Sequence, residues 1–177
     1  RKGIRHAYIE AMKHIKGDVI ITFSPDGNSL PALIPSLIQK LNEGYDMVIA
    51  SRYAQGAKSH DDDIITLFGN WLFTRLINIF HGGRYTDAMV MYRIYRTGLW
   101  RTLDIDKDSS YAIEEKLFRT VVGCEPLISI RAAKRKLKCA DIPGDEPCRI
   151  GGKRKLKVVK WGLAYMFEVV REKFIWK

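Results

Sequence analysis

The sequence predicts an α/β protein with an open, mostly parallel sheet and helices on its flanks. Three observations lead to this class. Short apolar runs bounded by turn residues are typical of buried strands, as at residues 18–23 and 46–50. Segments with apolar residues at helical spacing separate these runs, which gives the strand, loop, helix, strand order of such sheets. A content of 46% hydrophobic and 28% charged residues over 177 positions suits one folded domain or most of a larger one.

The first half of the chain follows this order closely. The predicted elements are a helix at residues 4–15 ended by Gly17, a strand at Asp18–Phe23, a helix that carries Leu37, Ile38 and Leu41 with Pro35 near its start, and a strand at Asp46–Ala50. The strands are followed by the loops 24–29 and 51–60. Because ligands of open α/β sheets bind beyond the carboxyl ends of strands, both loops are candidate parts of a site.

The second half contains a long apolar helix, predicted at residues 63–80. Its apolar residues cover most of the circumference, which indicates burial on several sides or contact with lipid or a partner. The three carboxylates of residues 61–63 either bind a metal or, as their position favours, cap this helix. The remaining predicted elements are a strand at Ala88–Tyr92, a loop at 101–111, a helix from Glu125 to Lys134, a strand at Leu137–Ile142 and a last helix at 157–176.

The net charge of +10 is concentrated near the end of the chain. Residues 1–130 contain 16 basic and 15 acidic residues, whereas residues 131–177 contain 14 basic and 5 acidic residues. This basic portion, which ends in an amphipathic helix, implies an anionic partner: phosphate groups, an anionic membrane surface or nucleic acid. The sequence contains no apolar run of the roughly 20 residues that a membrane-spanning helix needs. Three cysteines without paired spacing predict reduced thiols in a cytosolic protein.

Two loops contain residue types suited to phosphate and metal chemistry. Asp26 follows a buried strand in a turn with Ser24 and Asn28, and this oxygen donor set suits Mg²⁺ or Mn²⁺. The alternative is an ordinary turn aspartate, which the spacing alone favours. Near the end of the chain, Arg149, Lys153 and Lys155 surround a Gly-Gly pair, where the backbone can approach a phosphate closely. A solvated basic loop is the alternative.

These segments together resemble the polyprenyl-phosphate branch of glycosyltransferase family 2, the group similar to dolichol-phosphate mannosyltransferase. The resemblance rests on order and spacing and extends over nearly the whole chain. Its motifs are Gly17–Asp26, Pro31 with Leu33–Pro35, Gly44–Tyr53, Thr86–Arg93, Asp141–Pro143 and Arg149–Lys155. The family has an Asp-x-Asp pair where this chain has Ser24 and Asp26, and a serine at the position of Arg154.

The resemblance implies a single partial GT-A-like domain over residues 1–177 that lacks the family's first nucleotide-binding βαβ unit. We therefore expect a truncated chain that is inactive by itself. The implied activity is inverting hexosyl transfer from a UDP- or GDP-sugar to a polyprenyl phosphate or another lipid-linked or glycan acceptor. It also implies a cytoplasmic protein that rests peripherally on the anionic inner face of the membrane. The oligomeric state is left open.

The resemblance also implies roles for single residues. Asp26 corresponds to the metal-binding carboxylate, and Ser24 and Asn28 would supply weaker oxygen ligands. Asp87 corresponds to a carboxylate that acts as a base or orients the acceptor, and its alternative is a turn aspartate. Two arginines would bind phosphate or form structural ion pairs, namely Arg52 and Arg93. Glu125 is a rival catalytic carboxylate, although its position at a helix start is explained by the helix dipole.

Two other functions remain open at this stage. A non-enzymatic module that binds RNA or DNA through residues 131–160 would fit the charge, but that segment has few aromatic residues for base stacking. A catalytically degenerate glycosyltransferase-like protein is suggested by Ser24. Nucleic acid is a less expected partner than a nucleotide sugar and a lipid-linked acceptor.

Overall fold

A computed structural model of the chain describes residues 3–151 and 158–176. It contains a four-stranded sheet formed by β1 (Val19–Thr22), β2 (Met47–Ser51), β3 (Arg93–Arg96) and β4 (Cys139–Pro143). The strands lie in the order β1-β3-β2-β4. The pair β2–β4 is parallel, whereas β3 is antiparallel to both β1 and β2. Three strands therefore point in one direction and their carboxyl ends lie at one edge of the sheet. The predicted α/β class with an open, flanked sheet is confirmed.

Seven α-helices lie within the described residues: α1 (Ile4–Met12), α2 (Ile34–Asn42), α3 (Ile64–His81), α4 (Leu99–Thr102), α5 (Ala112–Phe118), α6 (Glu125–Lys134) and α7 (Val158–Phe174). The central strand β2 is buried along its whole length, and α2 packs on it with Leu37 and Leu41. Helices α3, α6 and α7 pack against one another. Burial of these apolar faces against water is the main force that holds the layers together.

The strand predicted at Ala88–Tyr92 is wrong, because the chain turns there and β3 begins only at Arg93. The Asp87 carboxylate accepts hydrogen bonds from the backbone N–H groups of Met89 at 3.2 Å and Val90 at 3.1 Å. These amides are thus held by a side chain instead of a neighbouring strand, which is how aspartate competes with a sheet ladder. The loop predicted at 101–111 is only partly a loop, since α4 extends to Thr102 and residues 108–110 form a 3₁₀ turn.

Helix α3 begins with a capping box. The Asp63 carboxylate accepts from the Thr66 amide at 2.8 Å, and the Thr66 hydroxyl accepts from the Asp63 amide at 3.0 Å. The cap therefore explains one of the three consecutive aspartates. The helix is buried along Phe73 and Ile77, but Phe68 is 58% exposed. None of the described helices combines the length and the hydropathy that a membrane span requires.

Helix α7 is fixed to α5 and α6 by buried ion pairs. Arg131 donates to Glu172 at 2.9 and 3.1 Å, and Arg171 pairs with Glu114. Both arginines are almost fully buried. Part of the basic excess of residues 131–177 is consequently neutralised inside the fold and is not displayed to a partner.

Candidate active site

A cavity of about 330 Å³ lies at the carboxyl edge of the sheet, between α3, α7 and the loops that follow β2 and β4. Its polar side is formed by Arg52, Asp61, Asp62, Thr66, Asn70, Glu125, Glu146 and Arg149, and its apolar side by Ile65, Gly69, Phe73, Met89, Met91, Trp161, Gly162 and Tyr165. Three of the site residues predicted from the sequence thus line the same cavity, namely Arg52, Glu125 and Arg149. A concave site with a few converging polar groups is the usual form of a small-molecule site.

The turn that contains Asp26 lies beside this cavity. The Ser24 hydroxyl donates to Asp26 Oδ1 at 2.6 Å, and Asp26 Oδ2 lies 3.6 Å from Arg149 Nη1. The backbone is fixed as well, because Ile150 donates its N–H to the Asp26 carbonyl at 2.9 Å. Gly27 has a φ of +89°, and an added Cβ would lie 2.5 Å from Ile150 Cγ1, so only glycine fits this approach. The turn is therefore locked against the loop after β4.

The donor set of this turn fits a hard divalent cation. Asp26 supplies a carboxylate, Ser24 a hydroxyl and Asn28 an amide, and all three oxygens are ligands that Mg²⁺ and Mn²⁺ accept. Asn28 Oδ1 is buried and accepts no hydrogen bond from the described part of the chain. A buried acceptor without a partner is unfavourable, and a cation would satisfy it. Within residues 3–151 and 158–176, no group of three or more His, Cys, Asp or Glu side chains is arranged to hold a metal, so water or phosphate oxygens would have to complete the shell.

Arg149 is held between two carboxylates. Its Nε and Nη2 donate to Asp61 at 3.1 and 2.6 Å, and its Nη1 faces Asp26. The hydrogen bonds to Asp61 raise the pKa of Arg149 above its ordinary value, so the guanidinium is fully charged. Lys153 and Lys155, predicted to share its phosphate role, lie outside the described residues.

Arg52 follows β2 directly and forms a bidentate pair with Asp87, with Nε···Oδ2 at 2.6 Å and Nη2···Oδ1 at 3.1 Å. Its remaining nitrogen, Nη1, lies 3.4 Å from Glu146 Oε2 and 3.5 Å from Asp62 Oδ2. The guanidinium is thus oriented on one side by Asp87 and reaches the cavity with its other side. Because Asp87 occupies the Nε–Nη2 edge of the guanidinium, Nη1 is the nitrogen that could contact a phosphate in the cavity.

Asp87 differs from the expectation of a substrate-facing carboxylate. It is fully buried, and its oxygens are engaged by Arg52 and by the amides of the 89–90 turn. Burial alone would raise the pKa of Asp87, but the charge and hydrogen bonds of Arg52 outweigh it and lower the pKa. A carboxylate with a lowered pKa is a weak base. Within the described structure Asp87 acts on the cavity through Arg52.

Arg93 does not reach the cavity, which corrects its prediction as a phosphate ligand. Its side chain is 1% exposed and donates to the Val90 carbonyl at 2.9 Å and to Ser129 Oγ at 3.1 Å. These contacts tie the 88–90 turn to α6. The physical reason is that both faces of β3 are covered at this end, since Arg93, Ile94 and Tyr95 are all buried.

Glu125 lines the cavity at the start of α6. Burial raises the pKa of Glu125 above its ordinary value. The carboxyl group lies beside Gly123, where an added Cβ would meet Glu125 Oε2 at 2.1 Å and the Tyr165 hydroxyl at 2.8 Å. Gly123 therefore leaves the space that this carboxyl occupies. Burial thus favours the neutral form of this carboxyl, which can donate a hydrogen bond.

Glu146 was not singled out by its type and spacing, and Asp62 was considered only as one of the three carboxylates of residues 61–63. Glu146 contacts Asn28, Ser59 and Arg52, while Asp62 accepts from the Tyr53 hydroxyl and from Asn70 Nδ2. The run of three aspartates was visible in the sequence, and its members have different roles. Asp61 and Asp62 lie against the cavity arginines, whereas Asp63 caps α3. Glu146 gave no such signal.

A second, larger groove of about 650 Å³ lies on another face of α3. It is lined mainly by apolar side chains, including Ile64, Leu67, Phe68, Trp71 and Tyr85, with Arg75 and Tyr53 as polar members. Tyr53 also joins the two spaces, because its hydroxyl accepts from Asn70 Nδ2 at 2.9 Å in the wall of the polar cavity.

Comparison with known proteins gives a consistent result. The family model described as glycosyl transferase family 2 matches residues 1–103. A dolichol-phosphate mannosyltransferase of Pyrococcus furiosus is 27% identical over 88% of this chain and 41% of its own length. An undecaprenyl-phosphate 4-deoxy-4-formamido-L-arabinose transferase of Shewanella sediminis is 31% identical over 53% of this chain and 27% of its own length. The low-salt glycan biosynthesis hexosyltransferase Agl6 of Haloferax volcanii is 28% identical over 58% of this chain and 25% of its own length. The chain thus spans less than half the length of each of these relatives.

Proposed function

The chain belongs to glycosyl transferase family 2, and from this premise we propose that it forms part of an enzyme that transfers a sugar from a nucleotide diphosphate sugar to a polyprenyl phosphate. The observation that carries the proposal is the meeting of Arg52, Arg149 and the Asp26 turn at the carboxyl edge of the sheet. Two guanidinium groups and an oxygen-rich turn are the groups that bind phosphates and their counter-ion. The names of relatives that act with dolichol phosphate and undecaprenyl phosphate support the acceptor class.

The proposed metal site consists of Asp26, Ser24 and Asn28 with Mg²⁺ or Mn²⁺. When bound, such an ion neutralises the diphosphate of the donor and stabilises the charge of the leaving nucleotide. Arg149 lies next to Asp26 and would contact the same diphosphate, together with Lys153 and Lys155. Since Arg149 is paired with Asp61, an arriving phosphate would exchange one anionic partner for another without leaving the arginine unpaired.

The acceptor in this proposal needs no general base. A phosphate monoester is already ionised near neutral pH, so its oxygen can attack the sugar carbon directly. This suits the engagement of Asp87 by Arg52, because a carboxylate paired with a guanidinium is a poor base, while Nη1 of Arg52 would contact the acceptor phosphate. One direct displacement inverts the configuration at the sugar. Glu125, with its raised pKa, would hydrogen-bond the sugar or acceptor within the cavity.

The membrane part of the proposal rests on α3 and its apolar groove. Ile64 is 86% exposed and Trp71 is 53% exposed, although both are large and apolar. Such a face suits the surface of a bilayer, where a basic segment adds attraction to anionic lipids. The polyprenyl chain of the acceptor would then reach the polar cavity past Tyr53.

The nucleic-acid alternative loses support from the buried ion pair of Arg131 with Glu172, which removes one of its cations from the surface. The deciding experiment is a donor screen on the full-length protein with Mg²⁺, Mn²⁺ or a chelator, with nucleotide release as the readout. We expect release from one UDP- or GDP-sugar only when a polyprenyl phosphate and a divalent cation are present. RNA binding that falls steeply with salt, without any nucleotide-sugar binding, would contradict the proposal.

A further inference from the structure

Glu146 contacts three side chains from two loops of the site, the loop after β1 and the loop after β2. It accepts from Asn28 Nδ2 at 3.2 Å, from Ser59 Oγ at 2.5 Å and from Arg52 Nη1 at 3.4 Å. We propose that Glu146 is a positioning residue that turns the Asn28 amide so that its oxygen faces a divalent cation, and that it couples this ligand to Arg52. The inference rests on the proposed metal site and adds to it a residue outside the Asp26 turn.

The orientation of Asn28 follows from what each group can donate. An asparagine amide has donors only on nitrogen and acceptor lone pairs on oxygen, whereas a carboxylate only accepts. Glu146 can therefore bind only the Nδ2 end of the amide, and Oδ1 must point elsewhere. Oδ1 is buried and accepts no hydrogen bond from the described residues. A fixed, unused amide oxygen beside Asp26 is a ready ligand for a hard cation.

Glu146 is itself well fixed. Its N–H donates to the Lys58 carbonyl at 2.9 Å, and its carbonyl accepts from the His60 N–H at 2.8 Å, so both sides of its backbone are bound to the loop after β2. Ser59 and Arg52 then limit the rotation of the carboxylate. Partners of metal ligands that are held in this way usually set the affinity of a site, because they fix the ligand before the metal arrives.

The test is a double-mutant cycle on Mn²⁺ affinity, measured by calorimetry with the full-length protein. Glu146→Ala should weaken Mn²⁺ binding by about 10- to 100-fold, the range typical of groups that orient metal ligands. In an Asn28→Ala background the same substitution should have no further effect, because the ligand that Glu146 orients is gone. Asp145→Asn is the matched control: it also removes one negative charge, but Asp145 is exposed, and its one hydrogen bond among the described residues is accepted from the Lys58 N–H. Its Mn²⁺ affinity should equal that of the wild type.

Two results would overturn the inference. One is an unchanged Mn²⁺ affinity in folded Glu146→Ala. The other is an equal loss in the presence and absence of the Asn28 amide, which would indicate a general structural role. If the alanine variant does not fold, Glu146→Gln keeps the shape and should still weaken Mn²⁺ binding, because the charge-assisted bond to Asn28 is lost. A wild type that binds no Mn²⁺ would also overturn the inference, while sugar transfer in the presence of a chelator would leave the proposed transferase intact.

Discussion

Asp26 is the residue whose substitution most directly tests the proposed metal site. Asp26→Asn keeps the size of the side chain but removes the only carboxylate of the turn, and it weakens the contact to Arg149 at 3.6 Å. We expect it to abolish metal-dependent nucleotide binding, measured by calorimetry with Mn²⁺. Ser24→Asp should act in the opposite direction, because a second carboxylate strengthens the ligand set. An unchanged nucleotide affinity of Asp26→Asn in the presence of Mn²⁺ would contradict the assignment of a metal site to this turn.

Arg149 is expected to act on the transition state more than on stability. Arg149→Ala should lower turnover by about 10²- to 10³-fold, the usual effect of losing one group that stabilises developing charge, and Lys155→Ala should lower it as well. The Arg149 side chain is 25% exposed, so solvent weakens its pair with the more buried Asp61, and the unfolding temperature should change less than the turnover. A large fall in melting temperature would assign Arg149 to the structure of the loop instead. Wild-type turnover in both variants would make the loop a solvated basic surface.

Asp87 and Arg52 form a buried pair, and breaking it should destabilise the fold. Asp87→Asn removes the nearest of the three carboxylates at the buried guanidinium, a loss of about 3–5 kcal/mol in comparable sites that the more distant Glu146 and Asp62 would reduce. The lowered pKa of Asp87 has a defined sign: its stabilisation is present above the unfolded pKa and is lost as the pH falls through the folded pKa. Chemical unfolding at pH 7 and at acidic pH measures both effects. Asp18→Asn, at an exposed position before β1, is the control and should change little.

At the scale of elements, α7 carries a buried carboxyl group that has no stabilising partner. Glu168 is 0% exposed, and neither of its oxygens has a hydrogen-bond partner among the described residues. Burial and the nearby charge of Glu114 raise the pKa of Glu168 well above its ordinary value, although Arg171 and Arg131 act against this. Glu172, on the same helix, adds to the rise. The fold therefore favours the protonated form of Glu168 more than the unfolded chain does.

This predicts a stability that declines with rising pH. A raised carboxyl pKa gives stability that is fully present below the unfolded pKa and is lost as the pH rises through the folded pKa. Glu168→Gln mimics the protonated group, so it should raise the melting temperature at a pH above the folded pKa of the carboxyl and flatten the decline of the melting temperature with rising pH. Glu43→Gln, which removes an exposed carboxylate, should do neither. A lower melting temperature for Glu168→Gln at every pH would contradict the buried-proton explanation.

Elements were predictable where local chemistry decides them. Asp63 with Thr66 marked the start of α3, and Pro126 marked the first turn of α6, because caps and prolines act within one turn. The strand at 88–92 failed because a side chain, Asp87, took over the backbone amides that a strand would have used. Apolar alternation alone does not report that competition.

For the whole molecule, the location of the site at the carboxyl edge of the sheet could be predicted from the sequence, but the side-chain contacts within the site could not. Asp26 and Arg52 follow strands that point the same way, so their proximity follows from topology. Glu146 lies 118 positions from Asn28 and 94 positions from Arg52, and no local pattern encodes those contacts. Arg93 shows the converse. Its position in a family motif suggested a phosphate-binding role, whereas in the structure its side chain is buried and donates to Ser129 on α6. Long-range contacts of this kind emerge only when the elements pack.

The exposed apolar face of α3 leads to a prediction about the whole molecule at a membrane. A chain ending at Lys177 should co-sediment with vesicles that contain anionic lipid, and salt should release part of it, because screening removes the electrostatic share of binding and leaves the apolar share. Phe68→Ala combined with Trp71→Ala removes two aromatic side chains that are 58% and 53% exposed, so the salt-resistant fraction should fall. Ile113→Ala with Leu117→Ala on α5 is the matched control, since these residues are also exposed but lie outside the groove. If the wild type fails to bind such vesicles at low ionic strength, an acceptor in the membrane loses its support and a soluble acceptor becomes the better proposal. If both double variants lose binding equally, the membrane contact is not specific to α3.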